Sequence, residues 1–130
     1  MRINQVSVFL GNTPGRLESL CKTLADASVN LETLTITESA DHGIVRMIVS
    51  DADKAVEVLS KQGFTPKKVE VLAVEVDDTP GALLKLLQKT REAGVNVEYM
   101  YDMSKPSSTR PLLVMSFKDM DTAEKILENA

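Results

Sequence analysis

Apolar residues recur at every second position in two short runs, Val6, Val8, Leu10 and Leu72, Val74, Val76. A period of two predicts a half-buried strand at each place. After each strand the period becomes helical: Leu17, Leu20, Cys21 and Leu24 share a face, as do Leu83, Leu86 and Leu87. These helices should end near Ser28 and Gly94. Glycine suits the left-handed position after a helix, and serine fills it less comfortably. Two β-rich runs follow, about Asn30 to Glu38 and Ile44 to Val49, joined as a hairpin by Ala40-Asp41-His42-Gly43. Their counterparts are Asn96 to Met103 and Leu112 to Phe117. Asp51 and Asp119 stand where they can cap second helices, the first presenting Ala52, Ala55, Val56 and Leu59 on one face. Phe64 to Val71 reads as a closing strand that runs almost directly into the next opening strand.

The turn between first strand and first helix is written twice, as Asn12-Thr13-Pro14-Gly15-Arg16-Leu17 and Asp78-Thr79-Pro80-Gly81-Ala82-Leu83. An offset of 66 also matches Val8/Val74, Leu20/Leu86, Ala27/Ala93, Val29/Val95, Asn30/Asn96 and Glu32/Glu98. Beyond the hairpin the offset is 68, matching Met47/Met115, Asp51/Asp119, Asp53/Asp121, Ala55/Ala123 and Leu59/Leu127. The second copy therefore carries a two-residue insertion, placed in the turn-forming stretch Ser104-Lys105-Pro106-Ser107-Ser108-Thr109. Such a repeat makes two units, residues 1–67 and 68–130. Units of about 65 residues are marginal alone, so a shared interface or a continuous sheet is expected.

Each unit reads strand-helix-strand-strand-helix-strand, which is α+β of the ferredoxin-like kind, an antiparallel sheet with helices on one face. The second copy lacks its closing strand. The open edge should be covered by the Phe64–Val76 segment or by another subunit.

Thr13 and Thr79 fit as helix N-caps, with Pro14 and Pro80 at the first helical position. Free N–H groups and the positive end of a helix dipole then favour a carboxylate or carbonyl oxygen. Gly15 and Gly81, without a Cβ, permit close approach of a ligand or chain. Asn12 offers an amide donor and acceptor, whereas Asp78 offers only acceptors when ionised. Together the two loops could satisfy both ends of an α-amino acid. The plainer alternative is that both turns only start helices. Asn30 and Asn96 open the second strands, where each side chain can face a neighbouring unit's loop or simply bond its own backbone.

Charge narrows the field. The net charge is −4, with 6 basic and 8 acidic residues in 1–66 and 9 and 11 in the remainder. Neither half has a basic stripe, so no nucleic-acid partner is expected. No apolar run approaches the roughly 20 residues of a membrane span, and no secretion signal opens the chain, so a cytoplasmic protein is expected. Cys21 is the single cysteine, which excludes an intrachain disulfide; it reads as a small core residue. His42 reads as a solvated turn histidine. Tyr99 and Tyr101 read as core or subunit-interface residues rather than base-stacking ones. Asp51, Asp53, Asp119 and Asp121 read as helix-start acids rather than a cation site. No nucleophile with a base, metal-ligand spacing or phosphate-binding glycine loop occurs, so neither catalysis, a metal nor a cofactor is expected.

The combination of apolar strand, Asn/Asp-x-Pro-Gly-x-Leu, amphipathic helix and Val-Asn-Leu/Val-Glu resembles the ACT domain, a small regulatory module that binds amino acids. The likeness covers nearly the whole chain as two tandem copies. Asn30-Leu31-Glu32-Thr33-Leu34-Thr35-Ile36, followed by Arg46-Met47, is also similar to the amino-terminal ACT domain of the acetolactate synthase regulatory subunit. The resemblance implies ligand binding where the loop of one unit meets the second-strand start of its neighbour. By position the loop residues are Leu10, Gly11, Asn12, Thr13, Pro14 and Gly15, and Val76, Asp77, Asp78, Thr79, Pro80 and Gly81. The strand-start residues are Asn30 and Leu31, and Asn96 and Val97.

The two sites should differ, because Asp77-Asp78 stands where the first copy has Gly11-Asn12. Adjacent carboxylates repel a ligand carboxylate and attract an ammonium. The implied function is a non-catalytic amino-acid sensor, expected as a homodimer. A regulatory subunit of an amino-acid biosynthetic enzyme, or a dimerisation module without ligand, are the alternatives.

Overall fold

The computed structural model describes residues 1–11, 13–38 and 42–128. Along them run β1 (Arg2–Gly11), α1 (Arg16–Asp26), β2 (Leu31–Glu38), β3 (His42–Val49) and α2 (Ala52–Lys61). Next come β4 (Pro66–Glu75), α3 (Ala82–Glu92), β5 (Val97–Asp102), β6 (Leu112–Phe117) and α4 (Met120–Leu127). The chain divides into two compact units, an N-terminal unit of residues 4–69 and a C-terminal unit of residues 1–3 with 70–130.

In the N-terminal unit β3 pairs antiparallel with both β1 and β2, giving the order β2-β3-β1-β4. Val6, Val8 and Leu10 alternate inward, as the period of two requires, and meet Val45, Met47 and Val49 of β3. Leu20 and Leu24 of α1 and Ala55 and Leu59 of α2 close over the same core. The C-terminal unit repeats the plan: β6 pairs antiparallel with β4 and β5, and Leu72, Val74, Met115 and Phe117 meet Leu86, Ala123 and Leu127. The apolar residues matched between the copies, such as Leu20/Leu86, Met47/Met115 and Leu59/Leu127, are thus equivalent core positions.

The expected closing strand of the first copy and the opening strand of the second are one uninterrupted strand, β4. At the edge of the C-terminal unit, where the sequence leaves the closing strand missing, residues 1–3 pair with β4. Ala73 N–H donates to the Met1 carbonyl at 2.8 Å, and the Met1 nitrogen donates to the Ala73 carbonyl at 3.2 Å. The Arg2 guanidinium lies against Asp121, against Glu124 at 3.1 Å and against Glu70 at 3.5 Å. Hydrogen bonds to Asp121 and then Glu124 raise its pKa above the usual value, so it stays a cation.

Helix ends follow local chemistry. After α1, Val29 N–H reaches the Leu24 carbonyl and Ser28 N–H the Ala25 carbonyl; after α3, Val95 reaches Thr90 and Gly94 reaches Arg91. Both are Schellman closures, which need a left-handed residue. Gly94 adopts φ 71° without strain, whereas Ser28 is held at φ 59°. Ser28→Gly is therefore expected to stabilise the protein by about 0.5–1 kcal/mol. An unchanged or lowered thermal midpoint would show that Ser28 carries no strain.

Asp51 and Asp119 cap α2 and α4, accepting from the backbone N–H of Lys54 and Thr122, both at 3.1 Å. Asp119 also accepts from the Thr122 hydroxyl, and the hydroxyl and backbone hydrogen bonds together lower its pKa. A lowered folded-state pKa contributes stability above the unfolded carboxylate pKa and loses it as pH falls through the folded value. The difference in thermal midpoint between the native chain and Asp119→Ala should thus be full at neutral pH and narrow in acid. A difference that stays constant to strongly acidic pH would contradict this.

Cys21 corrects the sequence expectation: it is exposed. The buried stripe of α1 is Leu20 and Leu24, and Cys21 sits about 100° around the helix from Leu20.

Candidate ligand site at the repeated turns

Thr13 and Thr79 are not helix caps. Arg16 N–H donates to the Thr13 carbonyl at 3.3 Å, and Ala82 N–H to the Thr79 carbonyl at 3.2 Å, so each threonine opens a four-residue turn. Gly15 has φ 89° and ψ −10°, and Gly81 φ 84° and ψ −2°. These are the third-position angles of a type II turn, with proline in its favoured second place. The helices begin two residues later than expected, at Arg16 and Ala82, with glycine as the capping residue and no side-chain cap. Proline fits the turn better than the helix here because the next residue must take positive φ. The glycines are required by conformation: a Cβ at either would meet nothing within 4 Å in this chain.

Each turn borders a cavity in its own unit. In the N-terminal unit Leu10, Gly11, Thr13, Arg16, Leu17, Ile36 and Gly43 line about 210 Å³. Arg16 is held there with its guanidinium 4.5 Å above the Phe64 ring, a cation–π contact. Asn12 lies outside the described residues, as do Ala40 and Asp41 of the expected hairpin tip. In the C-terminal unit Glu75, Val76, Asp77, Thr79, Ala82, Lys85, Leu86, Lys89 and Arg110 line about 190 Å³. Asp78, Pro80 and Gly81 are exposed beside it.

The electrostatics at the second turn differ from the sequence expectation. Arg110 bridges two acids, with Nη1 3.2 Å from Glu75 and Nε 3.1 Å from Asp77. The Nε atom is buried, and its approach to Asp77 is an ion pair without the alignment of a hydrogen bond. Val76 N–H donates to the Pro111 carbonyl at 3.0 Å, which seats the Arg110 segment beside the end of β4. Asp77 is therefore paired with a cation rather than free, although Arg110 shares its single charge between Asp77 and Glu75. Arg110, Lys85 and Lys89 went unrecognised in the sequence. A signal for the lysines was available, since Ala82, Lys85 and Lys89 share one helical face.

Asn30 and Asn96 occupy the other end of each sheet. Gly11 registers with His42, whereas Leu31 registers with Val49 at the far end of β3. In the C-terminal unit Glu75 stands against Leu112 and Val97 against Phe117. A unit therefore does not bring its own turn to its own asparagine. Asn30 exchanges backbone hydrogen bonds with Ser50, at 2.9 Å to the hydroxyl and 2.9 Å from its N–H. Its side chain and that of Asn96 are exposed. Leu31 and Val97 are half-buried against their cores. In both copies the register slips just after them, at Glu32 and Glu98, leaving equivalent bulges. Asn96 and Val97 also border an open depression of about 420 Å³ with Thr90, Arg91 and Gly94.

Tyr99 and Tyr101 are half-buried on β5, and His42 begins β3. Among the described residues no group of acids, histidines or cysteines is arranged to hold a metal ion, and no helix is long and apolar enough to cross a membrane.

The family described as an ACT domain pair matches residues 1–130. Protein BT0572 from Bacteroides thetaiotaomicron is similar at 36% identity and TM-score 0.91, covering 99% of this chain and 88% of that one. The regulatory subunit of aspartate kinase from Thermus thermophilus shares the fold at TM-score 0.65 and 16% identity, covering 97% and 91%. Its counterpart from Thermus flavus does so at TM-score 0.65 and 14% identity, covering 99% and 94%. No curated protein matches the chain by sequence.

Proposed function

Because this chain belongs to the ACT domain pair family across residues 1–130, we propose that it is a non-catalytic regulatory protein that binds an amino acid. The observation that carries this reading is the repeated type II turn, each copy beside a small cavity of its own unit, about 210 and 190 Å³. The ligand would be held where the turn of one unit meets the second-strand start of another. Leu10–Gly15 and Val76–Gly81 supply the loops, and Asn30, Leu31, Asn96 and Val97 the strand starts. The opposite placement of turn and asparagine within a unit favours such pairing, and a cytoplasmic homodimer is the assembly proposed. A ligand with unequal affinity for two packings shifts their balance, which is how binding becomes regulation.

A thermal-shift screen against the common amino acids tests this. A ligand at about 100 times its dissociation constant adds roughly 2.7 kcal/mol, and the gain should fall in Asn12→Ala or Asp78→Ala. No shift with any amino acid would leave a dimerisation module. Copurification with a larger enzyme subunit would instead make the chain that enzyme's regulatory subunit.

A further inference from the structure

The charged side chains around the second turn have no counterpart around the first. Glu75, Asp77, Lys85 and Lys89 align with Phe9, Gly11, Ser19 and Thr23, and Arg110 aligns with His42. Five charges were therefore placed in one copy only, and they converge on a single cavity. Their pairing is lopsided. Arg110 engages both Glu75 and Asp77. Lys85 and Lys89 face the same cavity with no carboxylate partner among the described residues. Two lysines four residues apart on a helix repel each other. The helix tolerates that repulsion without an internal counterion.

We propose that the cavity at the second turn is an anion site that takes the side-chain carboxylate of an acidic amino acid. The proposal rests on the amino-acid reading above and reverses the charge preference expected from Asp77-Asp78. Lys85 and Lys89 supply the attraction. Arg110 acts as a positioning residue: by holding Glu75 and Asp77 it halves the negative charge that would repel the ligand, and Lys85 and Lys89 outweigh the remainder. A cavity of about 190 Å³ admits a compact carboxylate with a few carbon atoms and no large aromatic group. The first turn, lined by Leu10, Leu17 and Ile36, has no such pair of cations.

Calorimetric titration of the full chain at low ionic strength, with glutarate, L-glutamate and L-glutamine as probes, tests the proposal. Glutamate and glutarate should bind, and glutamine should bind at least about tenfold more weakly, the scale of one charge-assisted hydrogen bond. Lys85→Gln with Lys89→Gln should weaken both acids about tenfold and leave glutamine unchanged. Both lysines are exposed, so the fold should survive. Arg110→Gln should weaken the acids as well, and Glu75→Gln with Asp77→Asn in that chain should restore them. A merely structural role for Arg110 would give no such rescue. Absence of binding by either acid, full binding by the double-lysine variant, or failure of the rescue each overturns the anion site. Lysine-dependent glutarate binding as tight as that of glutamate keeps the anion site and overturns the amino-acid reading. Binding of neutral amino acids alone does the reverse.

Discussion

Leu20→Ala and Leu86→Ala are each expected to destabilise the protein by about 2–5 kcal/mol, the usual cost of removing a buried leucine and leaving a cavity. Leu20 is 0% and Leu86 3% exposed, and each touches strands and a helix of its own unit. Backbone elements on every side limit collapse around the missing atoms. Denaturant midpoints measured with the slope held constant read the loss directly. Leu84, 59% exposed on α3, is the control and should change stability by less than about 0.5 kcal/mol when truncated. Equal losses at Leu84 and Leu86 would contradict the helix orientation.

The second large effect is expected at the turn glycines. Valine at position 15 or 81 must adopt φ near 89° or 84°. The left-handed region costs an L-residue about 1–2 kcal/mol, and a β-branched residue lies at the severe end. Gly11→Ala is the matched control, because a Cβ there meets nothing within 4 Å and no positive φ is required. Gly15→Val and Gly81→Val should lower the thermal midpoint while Gly11→Ala leaves it nearly unchanged. Valine variants as stable as the native chain would show that the type II turns are not strained by a side chain.

Both predictions concern features that local sequence makes visible, and the contrast with what it hid is instructive. Alternation, helical spacing and the twice-written turn revealed the strands, the helices and the duplication. Asp51, Asp119, Ser28 and Gly94 were legible because a cap depends on residues three to five positions away. The type II turn was half legible. Thr-Pro-Gly suits a helix start and a turn equally, and only the positive φ of glycine decides between them. Cys21 misled because apolar spacing cannot fix where a stripe ends. Arg110 was hidden for another reason: it meets Glu75 from 35 residues away, across a β-pairing that no local period encodes. The cover of the β4 edge by residues 1–3 was hidden in the same way.

That last arrangement also imposes an order on biosynthesis. Chains grow from the amino end, so Met1–Ile3 exist long before Ala73, Asp121 and Glu124 have been added. Arg2 must wait for partners 119 and 122 positions downstream. The Arg2 guanidinium therefore gains these two acidic partners only after α4 has been made, whereas Ala73 and Glu70 are available earlier. A nascent chain stalled before residue 120 would keep the Met1–Ala73 backbone bonds and leave the Arg2 guanidinium without Asp121 and Glu124.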